Sequence, residues 1–335
     1  MKSKEEITEL LNQVQLPEEK DNQPLSIKIL SVFGGILATL AFVAFLAIAG
    51  LYDSGAGLLI LGSLSIGGAI SLNKVSDKTI TDTLSISTYI IGLSMIGFGC
   101  EQFSVDENII CLLFIGIALG SLRLVQNYIL SFVSVLIISG SLYMLIMFNY
   151  EFAFNFEYSL PMNLYIFVYA LITTYFFLNE AKLITQNPRL SKLYNPVRAG
   201  LMLSFLLALK FVNGWLSSVI IIPLIIYVVS ILLTVLNINK KNNRIGIYAL
   251  SLLLLLPTAL YPAISGAMLI LLLSFLVNYK TGLALSIVAF IYFICQYYYD
   301  LNFTLLTKSI LMLSSGVLFI ALYLFTRKAF THEKI

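Results

Sequence analysis

Residues 297–316 read YYYDLNFTLLTKSILMLSSG. Three tyrosines and Asp300 lead into an apolar run whose only charge is Lys308. Aromatic side chains gather at the two interfaces of a bilayer, and an α-helix needs about 20 apolar residues to cross about 30 Å of hydrocarbon. The stretch predicts an interfacial belt followed by a transmembrane helix over about 303–326.

The composition extends that expectation to the whole chain. Of 335 residues, 59% are hydrophobic and 11% charged, with a mean hydropathy of +0.94. A soluble domain keeps about a quarter of its residues charged to cover its surface. Most of this surface must therefore face lipid or be buried. The net charge of +3 is spread along the chain and gives no nucleic-acid-binding patch. His332, the single histidine, stands in the last four residues, which argues against histidine catalysis and a histidine-ligated metal. No glycine-rich phosphate loop, CxxC pair or zinc-protease helix motif occurs, so no cofactor is expected. Cys100, Cys111 and Cys295 sit in or beside apolar runs and read as small hydrophobes. A Cys100–Cys111 disulfide across a short loop is the alternative.

Upstream of the opening stretch the chain is a series of apolar runs. Helices are expected at 29–51, 55–72, 82–100, 108–122, 127–147, 160–179, 199–215, 217–237, 245–261, 263–278 and 282–299, with 303–326 the twelfth. Lipid leaves unpaired backbone no other solution, and no segment alternates like a barrel strand. Charge tests the count. With the N-terminus inside, the tails and even-numbered connections hold 18 of the 20 Lys and Arg residues. The opposite connections hold Asp53, Glu101, Asp106, Glu107, Glu151, Glu157 and Asp300 with no base. That asymmetry is the positive-inside pattern, and it predicts an all-α integral membrane protein of about twelve spans with both termini cytoplasmic.

The expected domains are a cytoplasmic tail over 1–28, a polytopic domain over 29–326 and a second tail over 327–335. In the first tail Ser3 with Glu6 fits a capping box, and Ile7, Leu10, Leu11 and Val14 share a face, giving a short amphipathic helix. It has three candidate surfaces: the membrane, another membrane protein, or the chain's own loops. The start is too long and too acidic for a cleavable signal peptide. Membrane lipids are the expected partners; oligomeric state is not encoded in any motif. Small residues (Gly34 with Gly35, Ser63 with Gly67, Gly92 with Gly97, Gly116 with Gly120) are expected to allow close helix packing.

Lys210 and Lys308 are the two bases outside the cytoplasmic set. Intramembrane charge usually faces a bundle interior or a water-filled cavity. Side chains tilt toward the helix N-terminus, which aims Lys308 at the outer interface and Lys210 back toward the membrane centre. Lys210 is thus the one expected to be buried. Thr304, Lys308 and Ser315 share a stripe, and Pro257 and Pro262 bracket the turn in LPTALYPAISG, where they are expected to free backbone carbonyls. Together with Asp300 these residues outline an outward-facing candidate polar site. The alternative is a set of structural ion pairs in which Asp300 neutralises either lysine.

Tyr298, Tyr299, Leu301, Thr304, Leu305, Leu306, Lys308, Ser309, Leu313 and Gly316 resemble the closing motif of a bacterial membrane family catalogued as domain of unknown function 4401. GGILATLAFVAFL from Gly34 is similar to that family's first helix, with Ile36 where the family's pattern has a tryptophan. The resemblance implies a bacterial inner-membrane protein, often encoded near other membrane proteins, and brings no activity, cofactor or catalytic residue. Function is expected to be non-enzymatic, a transporter-like carrier or a membrane assembly partner. The alternative is an intramembrane enzyme on a lipid-linked substrate, which would have to use Asp300 and Lys210.

Overall fold

The computed structural model describes residues 54–75, 79–125, 127–149, 156–186, 188–210, 215–236, 241–255, 258 and 261–300, with scattered positions between 34 and 50 and between 304 and 320. Among these residues there is no strand. The helices are α1 Gly55–Val75, α2 Thr79–Gln102, α3 Glu107–Leu124, α4 Tyr128–Asn149, α5 Phe156–Leu178, α6 Glu180–Gln186, α7 Pro188–Lys210, α8 Trp215–Val235, α9 Lys241–Leu255, α10 Pro262–Leu276 and α11 Lys280–Asp300. Described positions such as Leu37, Phe42 and Phe45, and Leu306, Ile310 and Leu313, are helical too. The expected N-terminal amphipathic helix lies outside the described residues.

Seven described helices, α1 to α5, α8 and α11, are long and apolar enough to cross a membrane. Their outward side chains are those that lipid tolerates: Ile60, Leu64, Leu113, Leu164, Tyr227 and Val288 are all exposed. The protein is an all-α, membrane-embedded chain. α10 is apolar but has 15 residues, and α9 also has 15. Among the boundaries that differ from expectation, three bear on the layout. α7 starts at Pro188 rather than near 199 because PRLSKLYNPVR is helical without being apolar. α8 starts at Trp215, expected at the end of the preceding helix. α9 stops at Leu255, six residues short of the expected 261.

By packing, the chain divides into one unit of Met1–Tyr158 and Asn179–Ser204, and another of Ser159–Leu178 and Phe205–Ile335. In the first, α1 and α2 form an antiparallel hairpin with a seam of small residues seven apart. A Cβ at Gly62 would stand 2.9 Å from the Gly92 carbonyl oxygen, one at Gly92 2.9 Å from the Gly62 oxygen, and one at Gly99 3.1 Å from the Gly55 oxygen. One step further along, Ser85 Oγ donates to the Ala69 carbonyl at 2.8 Å and accepts from Asn73 Nδ2 at 3.1 Å. The expected four-residue pairs are not this seam: a Cβ at Gly67, Gly116 or Gly120 would meet no described atom within 4 Å. α2 ends in Ser104 at φ 53°, where Val105 N–H returns to the Cys100 carbonyl at 3.0 Å. Asp106 then caps α3 by accepting Asn108 N–H at 2.8 Å. Buried hydroxyls tie α2, α3 and α4 together: Tyr89 to Ser121 at 3.0 Å, and Ser121 to Ser134 at 2.8 Å.

The same unit buries Arg198, 5% exposed, in an ion pair with Glu180 at 3.0 Å. Asn195 accepts a second guanidinium bond at 3.0 Å, and the Tyr194 ring lies beneath at 4.9 Å. Arg198, one of the 18 bases of the expected cytoplasmic set, is a clasp between α6 and α7.

In the second unit α10 is the most enclosed described helix, with Ala263, Ala267, Ile270 and Leu273 buried. α10 and α11 form a hairpin whose turn uses Asn278 at φ 56°, with Tyr279 N–H to the Ser274 carbonyl at 2.9 Å. Gly266 exists to let the last turn of α7 close in: a Cβ there would overlap the Leu209 side chain. Tyr169 of α5 stacks on Phe205 at 6.3 Å with the rings nearly parallel, and Ser217 of α8 donates to Asn163 Oδ1 of α5.

Candidate functional site

The close approach of α7 to α10 at Gly266, and the α10–α11 hairpin, bring the end of α7, the start of α10 and one stripe of α11 into one region of the second unit. α11 presents Tyr292, Gln296 and Asp300 at four-residue steps, which places them on one helical stripe. Asp300 accepts from Gln296 Nε2 at 3.0 Å on one oxygen and from the Tyr261 hydroxyl at 3.3 Å on the other. The Tyr261 ring packs on Tyr297 at 5.3 Å. Lys210 sets its ammonium 6.0 Å from the centre of the Tyr292 ring, a cation–π contact. The result is a row of ammonium, Tyr292, Tyr261 and carboxylate. Tyr292, whose ring faces the ammonium, and Asp300 are eight residues apart on α11, about 12 Å at 1.5 Å per residue.

Tyr261 stands in the turn before α10, outside the helices. Burial above all, then the Asp300 charge, the hydrogen bond to Asp300 and the nearby Tyr292 push its phenol up to about 12. It is therefore a hydrogen-bond donor throughout the neutral range. A general base works best with a pKa near the operating pH, so this shift makes the row suited to holding charge in place rather than to moving protons.

The remaining expected site residues fall as follows. Lys210 is exposed rather than buried. Its place as the last residue of α7 puts the ammonium against a tyrosine face at the surface. Pro262 is buried and heads α10 at its first position, where the missing N–H costs no helical bond. Its carbonyl accepts Ser265 Oγ at 2.9 Å, so it is not left free as expected. Thr304 is exposed, and its hydroxyl accepts Thr307 N–H at 3.4 Å in the manner of a helix cap. Lys308, Ser315 and Pro257 lie outside the described residues. Cys100, Cys111 and Cys295 are free thiols.

A second feature escaped sequence reasoning. In the first unit a cleft of about 920 Å³ opens between α2, α3 and α4. Its walls include Gly97, Cys111, Phe114, Gly140 and Phe148, and its mouth carries Glu101, Asp106 and Glu107. The acids were visible in the sequence as a base-free connection, and Gly97 as a small residue. Nothing local joined them to α4.

No curated protein and no solved structure matches this chain. The family described as Domain of unknown function (DUF4401) matches residues 24–328. A match running from before the first apolar run to beyond the last leaves little of the sequence outside it, and the chain belongs to that family.

Proposed function

We propose that the chain is a twelve-span protein of the bacterial inner membrane, with both termini cytoplasmic, acting without chemistry of its own as a transporter-like carrier or a membrane assembly partner. Its working surface is the row from Lys210 through Tyr292 and Tyr261 to Asp300, open to the outer face. Membrane lipids surround it, and the N-terminal amphipathic segment is its contact with other membrane proteins.

The observation that carries this is the Tyr261–Asp300 contact. Asp300 ends α11, which has 21 residues and crosses about 30 Å at 1.5 Å per residue. Tyr261 precedes α10 and meets that same end, so the short α10 supports a full span in the twelve-span count. The 18 bases on one side and the base-free acidic connections on the other support the orientation. A carboxylate held by two donors, with an ammonium on an aromatic face, supports recognition of a charged ligand or partner rather than acid–base catalysis.

The outward opening is tested with a single cysteine at Gln296 in a background without Cys100, Cys111 and Cys295. In intact cells a membrane-impermeant maleimide labels it from outside. Labelling only after permeabilisation removes the outward-facing site.

A further inference from the structure

The cleft between α2, α3 and α4 has the size of a ligand site and a charge distribution that selects one kind of occupant. Its volume of about 920 Å³ lies within the range of about 300–1,000 Å³ typical of small-molecule pockets. Among the described residues no Lys or Arg lines it, and Phe114 and Phe148 contribute ring surface. Asp106 is committed to the α3 cap, which leaves Glu101 and Glu107 as exposed carboxylates at the mouth. Inside, Ser141 lines the cleft at 7% exposure. Among the described residues no three acids or thiols converge to hold a metal ion. The carboxylates ring an apolar chamber instead of caging a point charge, which calls for a cation that is itself bulky and greasy.

We propose that this cleft binds a lipophilic organic cation, its apolar body against Phe114, Ile137 and Phe148 and its charge toward Glu101 and Glu107. Desolvating an aromatic or alkyl cation is cheaper than desolvating a metal ion, and ring faces add cation–π attraction. The site uses none of the residues of the Lys210–Asp300 row, so it stands or falls apart from the function proposed above.

The test uses the full-length protein in nanodiscs of zwitterionic lipid, with tetraphenylphosphonium followed by equilibrium dialysis against empty nanodiscs. Tetraphenylborate has the same shape and the opposite charge. Saturable phosphonium binding is expected, with no saturable borate binding. Glu101→Gln with Glu107→Gln weakens phosphonium binding tenfold or more. A Cβ at Gly140 meets no described atom within 4 Å, so Gly140→Leu fills the chamber and abolishes binding while the thermal unfolding transition is retained. The proposal is overturned by phosphonium retention equal to empty nanodiscs, by borate binding of similar strength, or by unchanged affinity in both the double variant and Gly140→Leu.

Discussion

Tyr261 donates to an oxygen of Asp300 while Gln296 holds the other, and this pair of bonds sets what each residue of the row does. The phenol is raised from its usual value near 10 to about 12, so folding favours its protonated form. The stability this contributes is fully present below pH 10 and is lost as pH rises from about 10 to about 12. Thermal unfolding of wild type should therefore fall more steeply across that window than that of Tyr261→Phe; parallel slopes would show the phenol unshifted. At neutral pH the same substitution should cost about 1 kcal/mol, the value of one hydrogen bond. Lys210 belongs to the Tyr292 ring, and its exposure limits the contact to about 0.5–1 kcal/mol. With Lys210 against the Tyr292 ring and about 12 Å of helix between Tyr292 and Asp300, Lys210→Met and Asp300→Asn should add to within about 0.5 kcal/mol. A measured coupling well above that would restore the direct ion pair as the structural account. Arg198 is the opposite case. Glu180→Ala leaves a buried guanidinium without its carboxylate, and about 3 kcal/mol should be lost. The loss is at the lower end for buried pairs because Glu180 itself is 29% exposed.

Among the described elements, the α1–α2 hairpin brings two helix backbones into direct contact and offers the sharpest test. Beside the side chains they meet, Gly62, Gly92 and Gly99 each face a carbonyl oxygen of the opposite helix, which cannot rotate away as a side chain does. Gly62→Ala or Gly92→Ala should therefore destabilise by about 1–3 kcal/mol, as overpacking does. Gly67→Ala and Gly116→Ala meet no described atom within 4 Å and should be neutral or stabilising by about 0.5–1 kcal/mol from helix propensity. Thermal melts of the four variants decide; equal effects would remove the seam. The seam also marks how far sequence could go. Positions of the apolar helices were legible because each run of Leu, Ile, Val and Phe announces itself residue by residue. Gly92 was singled out, but beside Gly97, five residues on. Its true companions are Gly99 on its own helix and Gly62 opposite, and a seven-residue spacing of single small residues is faint until two helices face each other. α6 and the start of α7 were missed because LITQ and PRLSKLYNPVR carry no apolar run. The Asp300 end of the candidate row was legible from its acid and tyrosines. Tyr292 and Gln296 were not, since only the hairpin and the close approach at Gly266 bring them beside Tyr261 and Lys210.

For the whole molecule, the sidedness of charge and the depth of α9 and α10 make separable claims. Twelve spans place the connection at Asn155 outside and the one at Asn242 inside, since the first holds only acids and the second Lys240, Lys241 and Arg244. Single cysteines there, in a cysteine-free background, should react with an impermeant reagent from opposite sides. That pair alone cannot distinguish twelve spans from ten. If α9 and α10, with 15 residues each, dipped into the bilayer from the cytoplasm and returned, Lys241 and Lys280 would still be inside and every other connection would keep its side. Fifteen residues rise about 22 Å, short of a 30 Å core. The turn between them decides. Thr258 lies there, its hydroxyl donating to the Leu255 carbonyl at 2.8 Å, three residues before the tyrosine that meets the end of α11. A cysteine at Thr258 should therefore label from outside in intact cells, like the one at Asn155. Labels at Asn155 and Asn242 as expected, with none at Thr258 from outside even at saturating reagent, would reduce the count to ten and bury the Tyr261–Asp300 contact within the membrane.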